Sequence, residues 1–292
     1  MAPSGTSQAP ACGRLANWST SRLPFTERAL QSRPRMMSTD SHAPALSIVV
    51  PAYNEARRIG STLARVTAYL AARPAPYEVI VVDDGSRDDT REIVSAFAAT
   101  APHVRLLAMP RNAGKGAAVR AGVLASRGQQ VLFSDADLST PIEELERLEA
   151  AVDRGADIAI GSRAVRGDVE RRQPVLRRIQ GRMFHLVTRT LGFRAVSAIR
   201  DTQCGFKLFR GAVARSLFGE LTLAGFAFDV ELLELALPRF RIDEVAVAWH
   251  HMDGSTVRPG IDAMKMLRDL ARIRWGWLRH GRPLLALPEG RA

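Results

Sequence analysis

The residues best placed for chemistry in this chain are Asp135 and Asp137. They stand one residue apart in "FSDADLST", directly after the apolar run Val131, Leu132 and Phe133. Two carboxylates at the end of a buried strand lose hydration and repel each other, so their ionised forms need a compensating positive charge. A hard divalent cation would supply it. Mg2+ or Mn2+ takes oxygen ligands, usually one or two carboxylates with phosphate oxygens and water completing the shell. Held between the aspartates and a diphosphate, such a metal stabilises the negative charge that develops as a nucleoside diphosphate departs. Asp-x-Asp alone is a common triplet, so its meaning depends on the element that carries it.

That element belongs to a regular alternation starting at Leu46. The stretches "LSIVVPA", "YEVIVVDDGS", "HVRLLAMP", "QQVLFSDAD" and "ADIAIGSR" read as strands, and "EARRIGSTLARVTAYLAA", "RDDTREIVSAFAAT", "GKGAAVRAGVLASRG" and "PIEELERLEAAVDRG" between them as helices. Apolar strands without polar alternation, separated by helices, predict an α/β fold: a Rossmann-like, mostly parallel sheet with helices on both faces. In such sheets ligands gather beyond the carboxyl ends of the strands. There stand Pro51, Tyr53, Asn54 and Glu55, then Asp83 and Asp84, then Gly114, Lys115 and Gly116, then Asp135 and Asp137, and finally Ser162 and Arg163. Any one of these is explained by a turn or a helix cap. Five polar strand ends on one rim predict a ligand site.

Composition removes several alternatives. The chain has 292 residues, 46% apolar and 24% charged, which suits a globular protein of one large or two modest domains. Cys12 and Cys204 are its only cysteines, so neither a disulfide framework nor a cysteine-ligated metal is expected, and a reducing, cytoplasmic setting is. No GxGxxG follows the first strand, which counts against a dinucleotide-dependent oxidoreductase, and no GxxxxGK[ST] occurs. "NAGKGAAVR" still brings small residues and helix amides toward an anion, with Lys115 adding charge. The richest apolar stretch, "LTLAGFAFDVELLELALP", is broken by Asp229, Glu231 and Glu234, so no membrane span is expected.

The net charge of +11 is uneven, at +3 over residues 1–45, −2 over 46–162 and +10 over 163–292. The second half therefore faces something anionic. Aromatic content of 6%, without an aromatic-basic platform or zinc-finger spacing, argues against nucleic acid. Residues 1–45 are rich in Ser, Arg, Pro and Ala and poor in acids, and predict a disordered tail. It reads as an organelle leader or as an upstream extension of a start at Met36 or Met37. Residues 281–292 form a second tail.

Taken in order, "IVVPAYNEARRI", "VIVVDDGSRDDT", "NAGKGAAVRAG", "DADLSTP" and "GSRAVRG" resemble the nucleotide-sugar half of family 2 glycosyltransferases with the GT-A fold. "IRDTQCGFKLFR", "FAFDVELLELA" and "VAVAWHHMDGSTVRP" are similar to the dolichyl-phosphate β-glucosyltransferase branch. The resemblance covers residues 46–280, divided into a nucleotide-sugar half over 46–163 and an acceptor and membrane-facing half over 164–280. It implies an inverting transfer of a hexose, glucose from UDP-glucose foremost, onto a polyprenyl or dolichyl monophosphate. By motif position, the "PAYNE" segment with Pro51, Tyr53 and Glu55, together with Asp83 and Asp84, would hold the nucleoside, with Lys115 nearby. Asp135 and Asp137 would hold metal and diphosphate. Arg163 and Arg258 would contact substrate phosphate, and Asp229 occupies the place of a catalytic carboxylate.

Two qualifications come from chemistry and pattern. A phosphate monoester is already ionised near neutrality, so Asp229 either acts as a base or only orients a loop or helix start. Ser139, Thr140 and Thr256 depart from patterns seen elsewhere in the family, which leaves GDP-mannose or another nucleotide sugar, or a glycan acceptor, as alternatives. A non-catalytic nucleotide-sugar binder, a phosphatase using Asp-x-Asp and a nucleotidyltransferase are the competing classes. Lys207 in "DTQCGFKLF" is read as an acceptor-phosphate contact, Cys204 as a small packed residue, and His250 and His251 as turn residues rather than zinc ligands.

A lipid acceptor requires an interfacial device. In "DAMKMLRDLARIRWGWLRHG", Met266, Leu270, Ile273 and Trp277 share one stripe and Lys265, Arg268, Arg272 and Arg279 another. "PVLRRIQGRMFHLVTRTLGF" repeats the theme with Leu176, Ile179, Met183, Leu186 and Thr190 beside Arg177, Arg178, Arg182 and Arg189. Both stripes suit either a membrane surface or packing on the domain. The expected location is peripheral, on the cytoplasmic membrane face.

Overall fold

Strand β1 (Leu46–Ala52) is followed by helix α1 (Ile59–Ala71), then β2 (Tyr77–Asp83), α2 (Thr90–Thr100), β3 (Val104–Ala108), α3 (Lys115–Ala125), β4 (Gln130–Ser134), α4 (Leu145–Asp153) and β5 (Ile158–Ser162). After these come β6 (Phe206–Arg210), α5 (Gly211–Glu220), α6 (Phe228–Ala236), β7 (Ile242–Ala246) and α7 (Ile261–His280). This computed structural model describes residues 43–163, 198–250 and 261–280, together with 188, 190, 192 and 193. The second arginine-rich stretch apart from Thr188, Thr190, Gly192 and Phe193, residues 1–42 and 281–292 of the two tails, and His251, Thr256 and Arg258 lie outside the described residues.

The seven strands form one sheet in the order β3-β2-β1-β4-β6-β5-β7. β1 is central because both its faces are apolar. Ile48, Val49 and Val50 are fully buried, and the strand pairs in parallel with β2 and β4. The expected parallel series is interrupted once. β6 enters antiparallel between β4 and β5, with Lys207 opposite both Phe133 and Ile160. β5 nevertheless runs in the same direction as β4, so the carboxyl ends of β1 to β5 do share one rim.

Both sheet faces are covered. Side chains of α1, α2 and α4 such as Leu63, Val66, Val94 and Leu148 pack with Ile48, Val50 and Leu132. On the opposite face, α3, α5, α6 and α7 contribute Val119, Phe218, Phe228 and Leu270 against Val49, Val131 and Phe133. Each fully buried side chain of this kind contributes about 1.5–3 kcal/mol relative to exposure. In α7 the stripe expected from the sequence is the packed one. Leu270 and Ile273 are buried, and Met266 and Trp277 lie against the core, with the Trp277 ring edge-on to Phe193 at 5.9 Å. Among the described residues no helix is long and apolar enough to cross a membrane.

Candidate active site

The chain leaves β4 through a tight turn that fixes both candidate metal ligands. The Asp135 N–H donates to the Gly205 carbonyl at 3.0 Å, extending the β4–β6 ladder by one residue. The Thr62 hydroxyl of α1 donates to the Ala136 carbonyl at 2.6 Å. Leu138 adopts a positive φ of 47°, and the Ser139 N–H donates to Asp137 Oδ1 at 2.9 Å. With the backbone held on both sides, Asp135 and Asp137 line the same cavity of about 190 Å³, with Arg163, Gln203, Cys204 and Trp249 on its other walls.

Among the described residues, Lys115 supplies positive charge directly to Asp135. Its Nζ lies 2.7 Å from Asp135 Oδ1 and 5.3 Å from the centre of the Phe133 ring. Burial pushes the ammonium pKa down, but the charges of Asp135 and then Asp229 outweigh it and hold the group above the ordinary lysine value. The glycines around Lys115 bring it there. A Cβ on Gly114, whose φ is +107°, would stand 2.5 Å from the Ala224 carbonyl oxygen, and one on Gly116 2.7 Å from that of Leu223. Only glycine lets the start of α3 slide under this segment. Gly205 works likewise on the other side of Asp135, where an added Cβ would fall inside the aspartate's carboxylate.

Asp83 and Asp84 are occupied differently from the nucleoside contact expected of them. Asp83 is fully buried. Its Oδ2 accepts from Arg91 Nε at 3.0 Å and Nη2 at 2.8 Å, and its Oδ1 from the Ser86 N–H at 3.1 Å. Asp84 accepts the Ala113 and Gly114 N–H groups at 2.7 and 2.9 Å. Burial raises the Asp84 pKa further than these amides lower it. Every oxygen of the pair already has a protein donor, so both carboxylates help to hold the rim.

The "PAYNE" segment is tied to the same rim. Pro51 lies within β1 opposite Val82, and Tyr53 beyond it is half-buried. The Asn54 N–H donates to Ser86 Oγ at 2.9 Å and the Glu55 N–H to Thr90 Oγ1 at 2.8 Å. The Glu55 carboxylate pairs with Arg58 at 2.6 Å. Its pKa is raised, by burial first, against the pull of Arg58, with Asp137 and Asp135 pushing in the same direction as burial.

Arg163 lines the cavity, with its planar fork on Asp201. Nε and Nη2 donate at 2.7 and 2.8 Å, the backbone N–H adds a third bond at 3.0 Å, and the guanidinium sits 5.6 Å over the Trp249 ring. Burial opposes ionisation of both partners. Their mutual pairing prevails, lowering the Asp201 pKa and raising that of Arg163. Trp249 and Asp201 were not among the site residues expected from the sequence. The only sequence signals for them are an aromatic just past a strand and an acid beside the small Cys204 and Gly205 pair.

Two of the expected site residues are buried and paired to each other. Lys207, expected to meet an acceptor phosphate, is turned into the sheet. It is fully buried in mid-sheet, its ammonium 2.5 Å from Asp229 Oδ1 and 2.7 Å from the Cys204 carbonyl oxygen. Asp229, in the first turn of α6, is 3% exposed and turned onto Lys207, so it is not placed as a base in the cleft. Burial raises its pKa, with Lys207 and Lys115 pulling it back. Cys204 is buried as expected, its thiol pushed up to about 11 by burial and the charge of Asp201. His250 is exposed, and its N–H donates to the Ser139 carbonyl at 2.7 Å, fastening the segment after β7 to the aspartate turn.

Comparison with known proteins shows what the chain is similar to. The chain is 42% identical over 256 residues to dolichyl-phosphate beta-glucosyltransferase of Drosophila melanogaster, covering 82% of this chain and 77% of that one. It is 37% identical over 254 residues to the Homo sapiens protein of the same name, covering 82% and 78%. In fold it is similar to glucosyl-3-phosphoglycerate synthase from Mycobacterium tuberculosis, solved with Mn2+, uridine diphosphate and glucosyl-3-phosphoglycerate. That likeness has a TM-score of 0.59 at 22% identity and covers 82% and 81% of the two chains. Residues 47–218 match the family description "Glycosyl transferase family 2", a span of more than half the sequence. Sheet order, rim chemistry and relatives converge, and the chain belongs to glycosyl transferase family 2.

Proposed function

We propose that this glycosyltransferase moves glucose from UDP-glucose to a dolichyl or polyprenyl monophosphate with inversion, using a divalent metal, Mg2+ or Mn2+, held by Asp135 and Asp137. The observation that carries the reading is the convergence of both aspartates on one cavity at the strand ends. The names of the relatives supply the donor sugar and the acceptor class.

The donor set fits such a metal. Among the described residues no group of three or more His, Cys, Asp or Glu side chains could enclose an ion. Two hard carboxylates on an open rim suit a cation that completes its shell with diphosphate oxygens and water, unlike a closed zinc site. Bound there, the metal would offset the charge building on the departing UDP.

The remaining work falls to the protein's own groups. Lys115 neutralises Asp135 from the side opposite Gly205, so the pair does not carry its full repulsion. Asp137 is oriented by the Ser139 amide. Arg163, steadied by Asp201 and Trp249, adds positive potential on the wall facing the aspartates. An acceptor phosphate oxygen bonds to the anomeric carbon as the bond to UDP breaks. That oxygen is already ionised, with a second pKa of about 6. No base is therefore required, in keeping with an Asp229 committed to Lys207. The lipid tail of the acceptor places the enzyme at a bilayer surface, peripherally and on the side where UDP-glucose is available.

The test is a donor panel of UDP-glucose, GDP-mannose and UDP-N-acetylglucosamine against one polyprenyl phosphate, with Mg2+, Mn2+ or chelator. Expected is a glucosylated lipid phosphate from UDP-glucose alone, lost on chelation. Transfer without metal, preference for another donor, or release of inorganic phosphate would each replace this reading.

A further inference from the structure

Large apolar side chains open to solvent are few among the described residues, and three of the four belong to α7: Met264, Trp275 and Leu278, at 69%, 60% and 65% exposure. At 100° per residue they fall within a sector about 60° wide. Arg268, Arg272, Arg279 and Lys265, all exposed, follow along one flank of that sector. The Arg279 guanidinium lies 4.9 Å over the Trp275 ring, so charge and aromatic surface are interleaved. This is not the stripe that seats the helix, because Leu270 and Ile273 already bury the opposite side in the core. α7 therefore has two apolar stripes. One is used by the fold and one is turned outward.

We propose that the outward face of α7 is the surface by which the protein lies on an anionic lipid layer, with Met264, Trp275 and Leu278 entering the boundary between headgroups and acyl chains. A helix with apolar and aromatic residues on its outer stripe and basic residues beside them is suited to that position. A second copy of the chain fits poorly, since a two-fold contact would set the same cations against each other. Nucleic acid fits poorly because Met264 and Leu278 have no partner on a phosphate backbone. The helix is also close to the site. A Cβ on Gly225 would stand 3.4 Å from Asp269 Oδ2 of α7, and Leu223 to Gly225 is the segment that closes over Gly114 and Gly116 beside Lys115. The inference rests on the lipid-phosphate reading for its purpose, but its test does not depend on turnover.

Three full-length proteins are compared: the parent chain, Met264→Ser/Trp275→Ser/Leu278→Ser, and Arg268→Gln/Arg272→Gln/Arg279→Gln. Each is mixed with phosphatidylcholine vesicles, with or without phosphatidylglycerol, and transfer is measured separately on a short, water-soluble polyprenyl phosphate. The parent is expected to partition onto phosphatidylglycerol vesicles only. The arginine variant should lose on the order of a hundredfold in partitioning, and the apolar variant at least about tenfold. Both should keep their circular dichroism spectra and their turnover of the short acceptor. Absence of parental partitioning, or equal partitioning by all three proteins, overturns the proposal. So does a parental dimer that the apolar variant dissolves, or duplex DNA binding that competes with the vesicles. Loss of partitioning in the variants with no turnover of any polyprenyl phosphate by the parent would leave the lipid surface standing and remove the catalytic reading.

Discussion

Two strands of the sheet end in paired aspartates, and the fold uses the pairs in opposite ways. At the end of β2, all four carboxylate oxygens of Asp83 and Asp84 accept from Arg91 or from the amides of Ser86, Ala113 and Gly114. At the end of β4, Lys115 meets one oxygen of Asp135 and the Ser139 amide one oxygen of Asp137, leaving each Oδ2 without a partner among the described residues. Residue type and place on the rim are the same. The two pairs differ in the number of protein donors already aimed at them, and the oxygens at β4 are the more open to a ligand.

The largest effect should come from Asp137→Asn. Transfer is expected to fall by three orders of magnitude or more, as several kcal/mol of charge stabilisation disappear, while the thermal midpoint barely moves. Initial rates at saturating metal, beside a melting curve, decide it. Turnover within tenfold of the parent would mean that the open oxygens at β4 are not the metal site.

A third carboxylate sharpens the contrast, because Asp229 is neither open nor held by amides but paired to Lys207 inside the sheet. Lys207→Met should cost about 3–5 kcal/mol by leaving Asp229 buried and uncompensated, whereas Lys207→Met with Asp229→Leu should recover most of that loss. Urea unfolding reads both. Equal destabilisation by the single and double variants would show that the cost comes from packing alone. The double variant should recover stability more fully than activity, since the charge of Asp229 also acts on Lys115 beside Asp135.

This buried pair also shows where reading the sequence stopped. Each parallel strand from β1 to β5 was legible because an apolar run bounded by turn residues can hide both faces only inside a covered sheet. The turn after β4 was legible as a strand end because Asp135 and Asp137 directly follow the apolar run Val131, Leu132 and Phe133. The direction of β6 was not legible, since period and propensity are the same in either direction. Lys207 reads as a phosphate contact because it follows the tight Cys204-Gly205 loop, and its partner lies 22 residues ahead, visible only once α6 packs on β6. α7 carries two apolar stripes, of which the sequence shows the continuous one, Met266, Leu270, Ile273 and Trp277, more plainly than Met264, Trp275 and Leu278. The engagement of Asp83 and Asp84 was hidden for a related reason, as their donors come from the loops after β2 and β3 and from Arg91 of α2.

Gly205→Ala probes the site from its other wall. The new methyl group would displace the Asp135 carboxylate, so metal affinity is expected to drop about 10–100-fold, the range for a disturbed supporting shell. Titration calorimetry with Mn2+ and UDP measures it. Unchanged affinity would mean that the carboxylate turns aside without cost. Asp84→Asn should do less to chemistry and more to the fold, removing about 1–3 kcal/mol through its two amide bonds while transfer at saturating donor stays within tenfold. If Asp84→Asn instead matched Asp137→Asn in activity with its stability intact, the division between the two pairs would fail.

The smallest effect concerns acid. Asp201 is held below the usual carboxylate pKa, since Arg163 outweighs the burial that would raise it, whereas Asp84 and Glu55 are held above by burial. A lowered folded-state pKa means that the stability from Asp201 is fully present above its unfolded value of about 3.9 and is lost as pH falls through the lower folded value. Raised groups have the opposite sign, and protonating them relieves a cost. Acid should therefore weaken the Arg163 wall of the cavity while easing the repulsion around Glu55. Asp201→Asn should flatten the fall in unfolding free energy on the acid side of pH 4 and leave the neutral region parallel to the parent, as followed by urea midpoints from pH 3 to 7. An unchanged acid limb would mean that Arg163 keeps its position over Trp249 without the aspartate, and that the wall owes its order to stacking.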